Sequence, residues 1–261
     1  MQANLQANPT SAFFAFILVL IAVGVSYKEK LRLEKEIIWA VARMIVQLII
    51  VGFILKFIFD VNNLWLTLGM AGVIIFNAAV NAAQRGKGLE HSFRNSLIAL
   101  FTSSAITLAA LILSGSLEVI PSQIIPITGM IVGGAMRAVG LAYSNLLQLY
   151  KDQEQAVLER LALGATPYQA SKDILRITIK NGLQPTIDSI KTTGAVTLPG
   201  MMAGLMFAGV DPAKAIIYQI VVMFMMIAAT AISTYIATYL AYRSFFNDRY
   251  QLRSRIIQDK N

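Results

Sequence analysis

Side chains able to do chemistry are few in this sequence, and several stand where charge is costly. Arg43 and Arg137 lie inside apolar runs, where a centred arginine costs roughly 2.5–3.5 kcal/mol on insertion scales. Arg43 is near enough to one end of its run to snorkel to the interface. Arg137 lies deeper if its helix runs straight, and no acidic residue sits nearby in sequence. It is a candidate for lining a polar pathway or anchoring an interhelical bond. Asn77 and Asn81, four apart, share one helical face and are placed either to bond a neighbouring helix or to border the same path. Met201, Met202 and Met206, then Met223, Met225 and Met226, fall in apolar sequence. Thioethers suit a soft ion such as Cu(I), whereas Fe(III) takes hard oxygen donors; flexible methionines also serve simply as packing. Glu118 and Asp211 are too sparse to make a metal site, and His91, the sole histidine, falls in a polar loop where water solvates it. With no cysteine there is no disulfide, thiolate site or iron–sulfur cluster. Neither a Gly-x-x-x-x-Gly-Lys-Ser/Thr phosphate cradle, a His-Glu-x-x-His zinc motif nor a Gly-x-Ser-x-Gly elbow occurs. An enzyme is disfavoured. The chain reads as a conduit that holds no cofactor of its own.

The elements that position these residues follow from composition. Of 261 residues 56% are hydrophobic and only 14% charged, against roughly a quarter charged in an ordinary soluble domain. Charges gather in short islands between long apolar runs, the pattern of an all-α polytopic membrane protein in a lipid bilayer. About seven spans are predicted: Pro9 to Tyr27, Ile37 to Phe59, Leu64 to Ala83, Ser96 to Leu113, Ile124 to Leu149, Ile187 to Val210 and Ala213 to Tyr242. They make a single transmembrane domain over residues 1–261. The first run has no basic residue before it and no cleavage site after it, so it is a retained helix rather than a signal peptide.

The net charge of +8 is not a nucleic-acid footprint, because no basic stripe is interleaved with exposed aromatics. It reports orientation instead. One alternating set of loops holds Lys28, Lys30, Arg32 and Lys35; Arg85, Lys87 and Arg94; Lys151, Arg160, Lys172, Arg176 and Lys180; and Arg243, Arg249, Arg253, Arg255 and Lys260. The other set has only Lys56 and Lys214. The positive-inside rule puts the first set in the cytosol, with the amino terminus outside and the carboxyl terminus inside a cell membrane.

One polar interruption stands apart, Tyr150 to Pro185 (residues 150–185). Leu158, Leu161 and Ala162 fall on one helical face, and Gly164 sits where a left-handed C′ residue is wanted. Thr166, Pro167 and Gln169 then form a capping box with proline at N1. A second short helix carries Ala170, Ile174 and Ile177, and Asn181-Gly182 closes it. The prediction is a cytoplasmic helix-turn-helix able to plug into a partner, or alternatively an amphipathic segment lying on lipid. Asp188 and Lys191, three apart, are placed to pair. In the flanking spans, Gly129-x-x-x-Gly133 and Gly200-x-x-x-Gly204 are spacings that let helices approach closely. Pro199-Gly200 near the middle of the sixth span frees backbone groups that neighbours or a wet cavity must satisfy.

Glu159-Arg160-Leu161-Ala162-Leu163-Gly164-Ala165-Thr166 resembles the loop by which ABC-transporter permeases dock on their ATPase, with Arg160-Leu161 in place of the usual Ala-Ala. Thr197-Leu198-Pro199-Gly200-Met201-Met202-Ala203-Gly204, Ala208-Gly209-Val210-Asp211-Pro212 and Tyr218-Gln219-Ile220 resemble more specifically the FetB-type permeases, which include bacterial iron exporters and plant aluminium-tolerance permeases. The resemblance implies a permease subunit that pairs as a homodimer, engages a separate cytoplasmic ATPase holding ATP and Mg, and exports a metal ion, iron first. It places ATPase coupling at Glu159, Leu161, Ala162, Gly164, Ala165, Thr166 and Pro167, with Glu159 bonding at the docking surface or bracing the loop. A translocation path would run past Asn77, Asn81, Arg137, Thr197, Pro199, Gly200, Met201, Met202 and Met206. The rival is a self-contained secondary transporter, against which stands the lack of an internal repeat.

Overall fold

Long apolar runs with few internal helix breakers fold as helices, because only a helix satisfies its own backbone in lipid. A computed structural model describes the backbone of residues 9–253 and side chains from Phe16 onward. Arg255 and Lys260, counted above among the basic residues, lie outside the described residues. The elements are α1 (Pro9–Lys28), α2 (Glu34–Val61), α3 (Leu64–Arg85), α4 (Ser92–Leu113), α5 (Pro121–Asp152), α6 (Glu154–Ala162), α7 (Pro167–Thr192), α8 (Gly200–Phe207) and α9 (Pro212–Ala241), the last followed by a 3₁₀ turn over Tyr242–Phe245. The described residues form an all-helical protein without a named strand. Five helices, α2, α3, α4, α5 and α9, are long and apolar enough to cross a membrane.

The residues group into two compact units, one through Asn62 with Phe207–Gly209, the other Asn63–Met206 with the residues from Val210 on. In the first, Ser26 sets the bend between α1 and α2. Its hydroxyl donates to Glu34 Oε1 at 2.9 Å and accepts from the Leu33 N–H at 3.1 Å.

The second unit is built around α5. Of its apolar window 61% is buried, against 33% for α3, α4 and α9, so α5 is the axis on which the others pack. Small residues make this possible. Ala135 and Val139 on α5, Ala78, Ala79 and Ala82 on α3, and Ala237 and Ala241 on α9 share one buried cluster, and short side chains let membrane helices approach closely. The glycines that bring helices together are not the two predicted pairs. Gly129, Gly133, Gly200 and Gly204 have no atom within 4 Å of where a Cβ would sit. Gly140 and Gly182 do the work: a methyl on Gly140 would lie 2.8 Å from Arg85 Cδ, and one on Gly182 would lie 2.7 Å from Thr234 Cγ2.

Two departures from the predicted elements matter. Asn181-Gly182 does not close a short helix, because α7 runs unbroken through Gly182 and Pro185 to Thr192, 26 residues in all. Pro185 is tolerated on the partly exposed side of α7, whereas Gly182 is kept for its contact with Thr234 and the Ala138 carbonyl. The sixth span is likewise not one helix. Its first residues belong to α7, the chain then turns through Thr193–Pro199, and α8 carries the rest. Gly194, at φ +89° and donating to the Thr197 carbonyl at 2.9 Å, makes that turn.

Candidate functional site

The bend between α6 and α7 is built as its residue types require. Gly164 takes φ +88°, a conformation that costs any L residue with a Cβ. Its N–H donates to the Leu161 carbonyl, and the Ala165 N–H donates to the Arg160 carbonyl, both at 3.0 Å. These are the two bonds of a Schellman C-cap. Thr166 starts α7 with a capping box: its hydroxyl accepts from Gln169 N–H at 3.3 Å and Gln169 Oε1 accepts from Thr166 N–H at 2.9 Å.

The packing of α6 differs from the predicted face. Val157 is fully buried and Leu161 partly, whereas Leu158 and Ala162 are exposed. A shift of one residue moved the stripe, because Val157 is the position that meets the core through α7 and the end of α5. Glu159 does not brace the bend; it accepts from Gln155 on its own helix at 3.0 Å. The brace is Arg160, which contacts Asp173 at 3.0 Å and donates to the Ala170 carbonyl at 3.1 Å. Beneath the bend, fully buried Tyr150 donates to Ser171 Oγ at 2.6 Å and stacks on Phe245 with centroids 3.9 Å apart. The tail is held across the same end by Arg253, paired with Glu90. At the tip, Leu163 is 88% exposed. An apolar side chain displayed so fully at the corner of a rigid bend is suited to a partner's groove or to a lipid surface.

From this elbow α7 continues without interruption into the bundle. At its far half it lines two cavities that succeed one another along its seam with α9. The first, about 290 Å³, is lined by Arg85 from α3, Arg137 and Gly134 from α5, Thr186 and Ser189 from α7, and Met226 from α9 among others. The second, about 420 Å³ and mostly apolar, is bordered by Thr193, Gly194, Leu198, Met202, Gln219 and Met223. Thr186 and Thr230 meet between the helices, hydroxyl to hydroxyl, at 3.5 Å.

The predicted path residues distribute unevenly over this seam. Arg137 lines the first cavity. Arg85, the last residue of α3, packs on Gly140 less than one turn along α5 from Arg137, so the two arginines meet at one end of the α3–α5 contact. Met202 borders the second cavity, Met201 packs on an apolar cluster with Ile131 and Met225, and Met206 is half-buried on α8. Thr197 and Pro199 lie in the turn before Gly200 opens α8. Among the described residues Asn77 and Asn81 bond no neighbouring helix. Their amides donate to the carbonyls of Val73 and Asn77 on their own helix, at 3.0 and 2.7 Å. Asp188 and Lys191 pair at 3.7 Å. Among the described residues no group of three or more His, Cys, Asp or Glu side chains could hold a metal ion.

Gln219 was missed by sequence reasoning as a residue with a role of its own. It is 5% exposed, and neither amide atom has a partner among the described residues. A lone carboxamide in an apolar helix was the available signal, since an unpaired buried amide costs about 1–3 kcal/mol. Arg85 was hidden among loop charges because its approach to Gly140 is a tertiary contact.

The profile of the family described as "Uncharacterised protein family (UPF0014)" matches residues 9–246. The chain belongs to that family. It is 55% identical to "Probable iron export permease protein FetB" of Escherichia coli (strain K12) over 242 residues, covering 93% of both chains. It is 37% identical to "Protein ALUMINUM SENSITIVE 3" of Arabidopsis thaliana, over 93% of this chain and 89% of that protein. "UPF0014 membrane protein STAR2" of Oryza sativa subsp. japonica is 35% identical, over 93% and 85% respectively. No solved structure matches. The chain is a membrane permease of this family.

Proposed function

We propose that this permease is the membrane subunit of an ATP-driven exporter, moved by a separate ATPase that docks on the α6–α7 elbow. The observation that carries the reading is the continuity of α7. One 26-residue helix is capped at the elbow by Thr166 and contributes to the wall of both cavities, at Thr186 and Ser189 in the first and Ile190 in the second. A force applied at Leu163 and Gly164 reaches the cavities through a single rod rather than through a loop. Closure of the ATPase pair around nucleotide would tilt α7 and switch the cavities between two packings.

In this reading the elbow faces the cytosol of a cell membrane, with the carboxyl terminus inside and the amino terminus outside, because the basic loops gather on that side. ATP and Mg belong to the partner. Two copies of this chain pair around the path, and the cargo is a metal ion. Iron comes first because the Escherichia coli relative carries iron export in its name. A self-contained secondary transporter is the second reading, favoured by Gln219, which borders a preformed cavity and whose buried amide has no partner among the described residues.

Proteoliposomes containing the permease with and without a co-expressed ATPase test the choice. ATP-dependent metal efflux only in the co-reconstituted vesicles supports the exporter. Gradient-driven flux by the permease alone, unchanged by ATP, would overturn it.

A further inference from the structure

We infer that the cavity between α3, α5 and α7 is an oxyanion site, so that the cargo metal reaches it as an anionic, oxygen-donor chelate rather than as a bare cation. This rests on the transport reading above and adds its substrate class. Two arginines, Arg85 and Arg137, both exposed, line one space of about 290 Å³, and Thr186 and Ser189 border the same space from α7. No acidic side chain lines it. None of the ion pairs among the described residues uses either arginine. The nearest carboxylate in sequence, Asp188, is engaged by Gln184 at 2.9 Å and Lys191 at 3.7 Å.

The arrangement is held rather than accidental. Arg85 reaches the cavity by laying its Cδ against Gly140, in the 2.8 Å position that any Cβ would contest. Two like charges bordering one partly enclosed space repel each other more than in bulk water. An anion relieves that repulsion, whereas a divalent or trivalent cation adds to it. Guanidinium forks match the paired oxygens of carboxylate and phosphate, and hydroxyls complete the donor set. A bare hard metal ion finds nothing comparable, since the described residues offer no group of three His, Cys, Asp or Glu side chains. Iron held by several carboxylates satisfies both constraints, because the hard metal keeps its oxygen donors and the complex presents negative charge. Since α7 supplies Thr186 and Ser189, movement of the elbow changes the donor set and offers a route to release.

Purified full-length permease in zwitterionic-lipid nanodiscs, without the ATPase, is titrated calorimetrically with Fe(III)–citrate, citrate, inorganic phosphate and Fe(II) chloride. Citrate or its iron complex should bind, more weakly as salt rises, and Fe(II) alone should not. Arg85→Gln and Arg137→Gln should each weaken binding at least tenfold, Arg137→Lys less, and Arg43→Gln not at all. Phosphate binding in place of citrate, with the same arginine dependence, keeps the oxyanion site but overturns the chelate. Loss of binding when anionic lipid is added assigns the site to headgroups and overturns a cargo role. Equal binding by wild type and the folded double glutamine variant, or arginine-independent Fe(II) binding, overturns the site altogether. Because no ATPase is present, these outcomes are separate from failure of ATP-driven efflux.

Discussion

Gly182→Ala is the substitution that interrogates the rod most directly. The added methyl would lie 2.7 Å from Thr234 Cγ2, 3.3 Å from the Ala138 carbonyl oxygen and 3.6 Å from Thr234 Oγ1. The first separation is about 0.8–1.3 Å inside the ~3.5–4.0 Å optimum for two carbons. Thr234 is fully buried and β-branched, so it has little freedom to turn away. Overpacking of this kind costs about 1–3 kcal/mol. Against it stands the gain of about 0.5–1 kcal/mol from replacing a mid-helix glycine by alanine. The net expectation is a loss of roughly 1–2 kcal/mol, read as an earlier midpoint when detergent-solubilised protein is titrated with SDS and followed by helical circular dichroism. Thr234→Ser deletes Cγ2 while keeping the hydroxyl, so in the double variant most of the loss should be recovered. A coupling energy above about 0.5 kcal/mol in this cycle marks the pair as touching. If Gly182→Ala is as stable as wild type, or Thr234→Ser recovers nothing, α7 does not pack on α9 in the way described, and the elbow is not continuous with the cavities.

Other outcomes follow from the same geometry. Gly164→Ala meets no neighbouring atom but must hold φ +88°, so it should weaken capture of the ATPase in co-purification modestly, by about 1–2 kcal/mol. Gly164→Pro also loses the N–H donated to Leu161 and should abolish capture while the helices stay inserted; unchanged yield would remove the docking role. Tyr150→Phe leaves Ser171 Oγ buried without its partner, a loss of about 1–3 kcal/mol that the same SDS titration should register. Arg160→Met should release both Asp173 and the Ala170 carbonyl; with the pair half exposed, its ionic part is worth only about 0–1 kcal/mol. Coupled ATPase stimulation should fall more than stability does.

Local chemistry was legible in the sequence wherever a residue's role depends on its immediate neighbours. The left-handed Gly164, the Thr166–Gln169 capping box with Pro167 at N1, and the Asp188–Lys191 pair all appear as written. Each is closed within four residues, so no distant part of the chain can overrule it. Long apolar runs likewise announce membrane helices, because lipid leaves the backbone no other choice. Tertiary structure decided what depends on a partner from elsewhere. Asn181-Gly182 reads as a helix stop, yet Gly182 is there so that α7 can lie against Thr234 and Ala138. Arg137 reads as a lone charge, yet the end of α3 against Gly140 brings Arg85 to the same cavity. The glycine pairs at four-residue spacing proclaim close packing, yet they meet no atom of this chain, while single glycines do. Propensity acts along the chain over a few residues. Burial and the meeting of two arginines in one cavity are settled by helices far apart in sequence, and no local pattern carries that information.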